Sequence, residues 1–293
     1  HDTSDYNVFI GHQASTGGTG SRSQSVAIGY RAWGSSGSSN NIGGAENVFI
    51  GAESGGGTWA TAASDGNTAV GWNTMKGAMN GAGLNTAVGK NALLALTEGD
   101  RNVTIGADAG KAITTANRNT AVGYQALYSE DADGDRTVAI GHQALYSQNG
   151  NDEVMGNTAV GYISGFYNVT GRYNTYMGYG SGGAGAGSTN SHSSNTGIGY
   201  KALEGITTGG SNTVVGTTAG DAITTASYNV AVGLDALGQT TAGGANVAIG
   251  YQAMEGDVDG DGADNVAIGH KAMLANVSPS KNVAVGDSAM RAM

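Results

Sequence analysis

The stretch Asn119-Thr-Ala-Val-Gly-Tyr-Gln-Ala-Leu127 contains the pattern that decides the fold. Its core is Asn-x-Ala-Val/Ile-Gly, followed three residues later by Ala, and sixteen exact or variant copies of it lie between Asn7 and Ala289. The central glycines run from Gly11 to Gly286 in steps of 17 to 22 residues, a period typical of solenoids. We therefore predict a single repeat domain over residues 1–293. Its longer glycine- and serine-rich insertions lie near 34–44, 55–66 and 178–194.

The columns of the repeat make different physical demands. With the glycine as position 0, position −1 is always Ile, Val or Met, position −3 is Val or Thr, and position −2 is mostly Ala. A strand directs alternate residues to opposite faces, so −4, −2 and 0 share one face and −3 and −1 share the other. The first face has sizes that fit the inside of a narrow coil. The aliphatic face also demands burial, so we expect another copy of the chain to cover it.

Position −4 is Asn in fourteen of the sixteen repeats, with Ser25 and Thr137 as the exceptions. Amides on successive turns of a coil can hydrogen-bond to one another in a ladder. We therefore predict a structural ladder of Asn7, Asn47, Asn67, Asn85, Asn102, Asn119, Asn157, Asn174, Asn195, Asn212, Asn229, Asn246, Asn265 and Asn282.

Composition favours a fibrous protein over an enzyme. The chain has 53 glycines in 293 residues and only 6% aromatic residues, which leaves few large side chains for a conventional core. A net charge of −10 argues against nucleic acid as a partner, and no apolar run is long enough for a membrane span. No nucleophile and base can be placed together from their spacing, so we predict no enzyme. A solenoid enzyme acting on glycans, with carboxylates on adjacent turns, is the alternative.

The repeats resemble a known family. The stretch 119–127, Thr137-Val-Ala-Ile-Gly-His-Gln-Ala-Leu145 and Asn246-Val-Ala-Ile-Gly-Tyr-Gln-Ala-Met254 look like the head repeats of trimeric autotransporter adhesins (YadA-like heads) and related repeats of phage and prophage tail fibres. The resemblance covers nearly the whole chain, although the repeat here is longer than in the adhesins. It implies an all-β, left-handed parallel β-roll of about 16 rungs, three copies side by side, on a cell or virion surface.

These observations lead to two functional hypotheses. The first is a non-enzymatic extracellular fibre or adhesin segment, a homotrimer whose variable loops contact surface glycans or proteins. The second is a self-assembling filament subunit that stacks head to tail, because the repeat runs to both ends without a polar cap. Neither hypothesis involves nucleic acid or membrane insertion.

Two acidic loops have the spacing of calcium ligands. In the first, Asp257, Asp259, Asp261 and Asp264 follow one another with a glycine at the sixth position, as in oxygen-rich Ca²⁺ loops. The second, weaker candidate consists of Asp131, Asp133 and Asp135. Bound Ca²⁺ would stiffen these insertions, and the alternative in each case is a solvated acidic turn.

Position +1 is rich in rings. We predict a possible contact surface of Tyr30, Trp72, Tyr124, Tyr162, Tyr200 and Tyr251, with Tyr179 and three histidines, His12, His142 and His270, in the same column. The rings could bind glycans or protein, or they could simply cover the turn and pack on one another, which we favour. The histidines are too far apart to bind a metal within one chain.

Overall fold

The computed structural model describes residues 6–16, 22–34, 43–59, 62–131, 134–150, 154–183, 190–239, 241–256, 262–274 and 280–291. It confirms an all-β parallel β-solenoid with sixteen strands, and these residues contain no helix. Each strand consists of positions −3 to −1 of one repeat. The strands are β1 Val8–Ile10, β2 Val26–Ile28, β3 Val48–Ile50, β4 Thr68–Val70, β5 Thr86–Val88, β6 Val103–Ile105, β7 Thr120–Val122, β8 Val138–Ile140, β9 Thr158–Val160, β10 Thr175–Met177, β11 Thr196–Ile198, β12 Thr213–Val215, β13 Val230–Val232, β14 Val247–Ile249, β15 Val266–Ile268 and β16 Val283–Val285.

The chain forms two compact units. Unit 1 comprises His1–Gln143 and Asn149–Val154 and contains β1–β8, whereas unit 2 comprises Ala144–Gln148 and Met155–Met293 and contains β9–β16. Within each unit, consecutive strands pair in parallel with equal repeat positions aligned. Insertions of up to five residues therefore leave the strand register unchanged, because the extra residues lie between the strands.

The two faces of each strand differ in burial as the period of two requires. Positions −4 and −2 point into the coil, where Asn119 and Ala121 are fully buried. Positions −3 and −1 point away from the coil, and Ile105 at −1 is 42% exposed. The inward face was correctly predicted. The expected burial of the −3/−1 face is not achieved within one chain, because a single coil has only one inside.

The asparagines at −4 lie one above another and bridge successive repeats. Within each unit, the backbone N–H of most members donates to the side-chain oxygen of the preceding one, for example Asn229 to Asn212 over 3.0 Å. The Nδ2 group of Asn212 also donates to Asn195 Oδ1 at 3.0 Å and to a backbone carbonyl at 2.9 Å. Ser25 takes part through its hydroxyl, which accepts the N–H of Asn47 at 3.0 Å. Each amide thus satisfies buried polar groups that water cannot reach.

The interior is filled by complementary side chains at −2 and +4. Repeats with Ala at −2 have a long side chain at +4, such as Ala87 with Leu93, and both are fully buried. A larger residue at −2 is accompanied by glycine at +4 except in the first repeat, where Phe9 accompanies Ser15. A Cβ at Gly55, for example, would lie 2.6 Å from Phe49 Cδ1. The other large–glycine pairs are Thr104–Gly110, Tyr176–Gly182 and Val214–Gly220. Repeat 159–165 has Ala and Gly, and there Leu145 and Tyr176 fill the space.

The turn after each strand has an unusual backbone. Positions +2 and +4 are left-handed in every repeat, including non-glycine residues such as Gln125 with φ 53° and Leu127 with φ 51°. Position 0 has φ between 128° and 148°, a region that only glycine enters at low cost. The backbones also approach closely there, since a Cβ on Gly106 would lie 2.6 Å from the carbonyl carbon of Gly123. The motif glycine is therefore required for both conformation and space.

Candidate functional site

One surface of each unit is built from the outward positions of the strands. We call it the outer sheet face and define it as positions −5, −3, −1 and +1 of the repeats. These positions are exposed or half-buried in all described repeats, whereas the intervening −4 and −2 residues are buried except near the two ends. Because the strands are in register, each position forms a straight column along its unit.

The middle of the outer sheet face is apolar. Its two columns consist of Val or Thr at −3 and of Ile, Val or Met at −1, and side chains such as Val232 and Ile249 are each 38% exposed. No described residue outside these columns covers them. Soluble monomers seldom expose a contiguous apolar patch this regular, and such patches mark interaction sites. This stripe is the strongest functional feature of the described surface.

The rings at +1 form stacks along one margin of this face. Tyr162 and Tyr179 stack with centroids 5.0 Å apart, and Tyr179 and Tyr200 stack at 5.4 Å. Each of these rings is nearly half exposed. Because neighbouring rings stack face to face, each covers part of the next ring's face. A partner can therefore reach mainly the ring edges and hydroxyl groups. The mutual packing follows the interpretation favoured from the sequence, and a glycan platform would need free ring faces.

Basic side chains accompany several of these rings. Lys90 Nζ lies 5.0 Å from the ring centroid of Trp72, and Lys271 Nζ lies 5.7 Å from that of Tyr251. Tyr30 stacks with His12 at 5.6 Å, and Tyr124 lies beside His142 at 5.1 Å. Each unit therefore has at least one lysine that lies against an aromatic ring of the +1 margin.

The three histidines of the +1 column belong to different repeats and do not meet. His270 stacks on Tyr251, and its Nδ1 lies 2.6 Å from Oδ1 of Asp287 one repeat further. Among the described residues, no three His, Cys, Asp or Glu side chains are grouped so as to hold a metal ion.

Most of the predicted calcium ligands lie outside the described residues. This applies to Asp257, Asp259, Asp261 and Asp133, so calcium binding in these loops also stays a prediction. Of the described members, Asp264 and Asp131 are exposed. Asp135 has a different role, because its Oδ1 accepts the backbone N–H of Asn117 at 2.5 Å.

This contact belongs to a second ladder that the sequence analysis missed. At position −6 in unit 1, Gly83 N–H donates to Asp100 Oδ1 at 2.6 Å and Asp100 N–H donates to Asn117 Oδ1 at 2.8 Å. In unit 2, serine hydroxyls take the place of the carboxylate, as where Gly210 N–H donates to Ser227 Oγ at 2.9 Å. The signal was present in the sequence as Asp, Asn or Ser two residues before many of the ladder asparagines.

A buried polar pair in unit 2 was also missed. The hydroxyl of Tyr176 lies 2.8 Å from Nδ1 of His192, and both side chains are fully buried. Nε2 of His192 has no hydrogen-bond partner. Burial lowers the pKa of His192 from 6.5 to about 4, because the charged ring cannot be solvated there, and burial likewise raises the pKa of Tyr176.

This pair should make unit 2 sensitive to acid. A histidine whose folded pKa is depressed supports folding fully above its unfolded pKa of 6.5, and that support is lost as the pH falls toward 4. The shift corresponds to a loss of about 3 kcal/mol over this window. In urea unfolding between pH 7 and pH 4, His192→Gln should remove most of this pH dependence. His142→Gln, on an exposed ring, should retain it, and equal profiles for all three proteins would contradict the assignment.

The fold defines the chain as a parallel β-solenoid protein with one uncovered apolar sheet face. The described residues include no helix of the length and hydropathy needed to cross a membrane. No protein family matches the chain, and no curated protein is significantly similar to it.

Proposed function

We propose that this chain is a non-catalytic, extracellular fibre or adhesin segment whose copies pack side by side, three together, through the outer sheet face. The single observation that carries the proposal is the apolar stripe at −3 and −1, which is regular along both units and uncovered in one chain. A face of this kind demands a partner with the same repeat length along its axis. A second copy of the chain meets that demand without further assumptions.

The internal construction of the coil supports a structural role. Amide ladders at −4, backbone bonds between successive strands and the −2/+4 packing stabilise a stiff repeat that depends little on its loops. Segments between the repeats differ in length, whereas the strands do not. We propose that these segments of variable length make the contacts with cell-surface glycans or proteins.

Self-association can be tested by sedimentation of the whole chain. We expect a mass of three chains for the native sequence and of one chain for Val232→Glu/Ile249→Glu, which places charge in the middle of the outer sheet face. The matched control is Thr208→Glu/Thr225→Glu, two exposed residues on successive repeats outside that face. It should stay trimeric. A native chain that remains monomeric at high concentration would overturn the proposal.

Electron microscopy of the same samples separates the two modes of assembly. Discrete particles of three chains support side-by-side packing, whereas long polymers support the head-to-tail filament instead. Binding to an array of acidic and neutral glycans tests the adhesive role. If the chain binds none of these glycans, the adhesive part of the proposal is wrong and only the structural role remains.

A further inference from the structure

Three arginines occupy position −5 in three successive repeats of unit 1. They are Arg101, Arg118 and Arg136, and all three are exposed. Each has a backbone φ between 58° and 60°, so the three side chains leave the chain in nearly the same direction. The backbone N–H of Arg118 donates to a carbonyl of the preceding repeat at 2.9 Å, and that of Arg136 does so at 3.1 Å. The register of β6 to β8 therefore extends to this position, and we call the three residues the arginine column.

Neighbouring members of the arginine column are one repeat apart. Successive strands of a sheet lie about 4.8 Å apart, so the three positive charges form a closely spaced row. Like charges at directly paired positions are destabilising. The chain as a whole has a net charge of −10, with 23 acidic residues against 13 lysines and arginines. The row of positive charge is thus a local feature that the overall charge of the chain does not explain.

The chain itself does not neutralise this row. Among the described residues, no guanidinium group of the arginine column forms an ion pair or a side-chain hydrogen bond. The preceding position, −6, contains Asp100 and Asp135, but Oδ1 of each accepts a backbone N–H of the preceding repeat, at 2.6 and 2.5 Å. Surface lysines elsewhere do form ion pairs with carboxylates of the same chain, namely Lys76–Glu53, Lys111–Asp108 and Lys201–Glu204.

The chemistry of arginine narrows the choice of partner. The guanidinium group is planar and presents its N–H donors as a fork that binds oxyanions in bidentate geometry. A straight row of three such groups, one per repeat, fits a linear polymer with closely spaced acidic groups. The acidic character of the whole chain disfavours a nucleic acid, whose phosphates it would repel. A linear acidic glycan has the required anions with a lower charge density.

We infer that the arginine column is a binding site for a linear acidic glycan, whose carboxylate or sulfate groups pair with the three guanidinium groups in succession. This site goes beyond the proposed function, because it lies at the border of the outer sheet face and not in the segments of variable length. The column runs beside the apolar stripe, along Val103, Thr120 and Val138 at −3. Copies that pack through the stripe place the arginines at the rim of their contact, where interfaces are polar and accessible to solvent.

Binding of glycan probes to the whole chain tests the site. The probes are heparin oligosaccharides, which carry sulfate as well as carboxylate, oligogalacturonates, which carry carboxylate alone, and neutral dextran. We expect binding to at least one acidic probe and none to dextran, with an affinity that falls as salt is added, because exposed charges are screened. Tighter binding of heparin identifies sulfate as the recognised group, and tighter binding of oligogalacturonate identifies carboxylate.

Two triple variants with the same change in charge locate the site. Arg101→Gln/Arg118→Gln/Arg136→Gln should weaken binding of the acidic probe at least about tenfold, because it removes all three forks. The matched control changes three lysines that already have carboxylate partners and should bind like the native chain: Lys76→Gln/Lys111→Gln/Lys201→Gln. Equal binding by the two variants would overturn the site. Binding of a single-stranded oligonucleotide as tight as that of the acidic glycans would overturn it too.

Sedimentation of the same proteins separates this site from the proposed packing. Both triple variants should keep the native mass, since neither changes the apolar stripe. If the arginine variant loses that mass, the column lies within the contact between copies and the glycan site is wrong. A native chain that is oligomeric but binds no acidic probe also overturns the site and leaves the packing in place. A monomeric native chain that binds through the arginines supports the site and contradicts the packing.

Discussion

Gly199→Ala should lower the free energy of unfolding by at least about 3 kcal/mol, an effect at the upper end for a single methyl group. Gly199 has φ 138°, where an alanine is strained, and its Cβ would lie 2.6 Å from the carbonyl carbon of Gly216. Relief requires the backbones of two paired repeats to separate. The loss should appear in urea unfolding and as faster amide exchange in β11 and β12.

The matched control is the same substitution at Gly180, at position +2 of the preceding repeat. Gly180 has φ 63°, a conformation that Lys201 adopts at the equivalent position with φ 56°. The nearest heavy atom to a Cβ there is Cγ of Lys201 at 3.6 Å, which is ordinary contact. Gly180→Ala should therefore cost about 1 kcal/mol or less. Similar losses of stability in Gly199→Ala and Gly180→Ala would show that the close approach of the backbones at Gly199 is not the cause.

The period of the motif was sufficient to predict the strands and their register. Each Asn-x-Ala-Val/Ile-Gly places its small residues on one face of a strand. A narrow coil forms when these faces point inward and equal repeat positions are aligned in successive strands. The need for glycine was visible too, but its cause was not, because a φ near 138° and the approach to the next repeat depend on backbone geometry. The structure was needed to show that glycine is required both for its backbone conformation and for the close approach of the next repeat.

The sequence predicted that the residues at −1 favour burial, and within a single chain they stay partly exposed. Ile249 has an apolar, β-branched side chain that is typical of buried strands, yet it is 38% exposed. The pattern indicates that a side chain favours burial and carries no information on whether its own chain or another provides the cover. The −2/+4 size relation, by contrast, was readable from pairs such as Phe49 with Gly55 and was overlooked.

The contact between Tyr176 and His192 could not be read from the repeat. His192 lies in the insertion near 178–194, where no column relates one residue to another. Its position depends on how the insertion packs against the ring of Tyr176. The described part of this insertion thus contributes to the interior, where His192 is fully buried.

Asn212→Leu should lower the free energy of unfolding by about 3 to 5 kcal/mol, although the side chains are similar in volume. The Oδ1 of Asn212 accepts from the backbone N–H of Asn229 at 3.0 Å, and its Nδ2 donates to the carbonyl of Ala226 at 2.9 Å. Leucine leaves both buried groups without partners, and each orphaned group costs roughly 1 to 3 kcal/mol. Urea unfolding with circular dichroism measures the loss.

Asn212→Ser provides the control that the chain itself suggests. Ser25 occupies the same column, and its hydroxyl accepts the N–H of Asn47 at 3.0 Å. Serine at 212 should therefore keep the acceptor for Asn229 N–H, and its loss of stability should be about half that of leucine. The amide of Asn229 reports the difference directly, since its exchange with solvent should accelerate in Asn212→Leu and remain slow in Asn212→Ser. If both variants lose equal stability with equal exchange at Asn229, the hydrogen bonds of the ladder contribute little, and packing at −2 and +4 has to account for the stability of the coil.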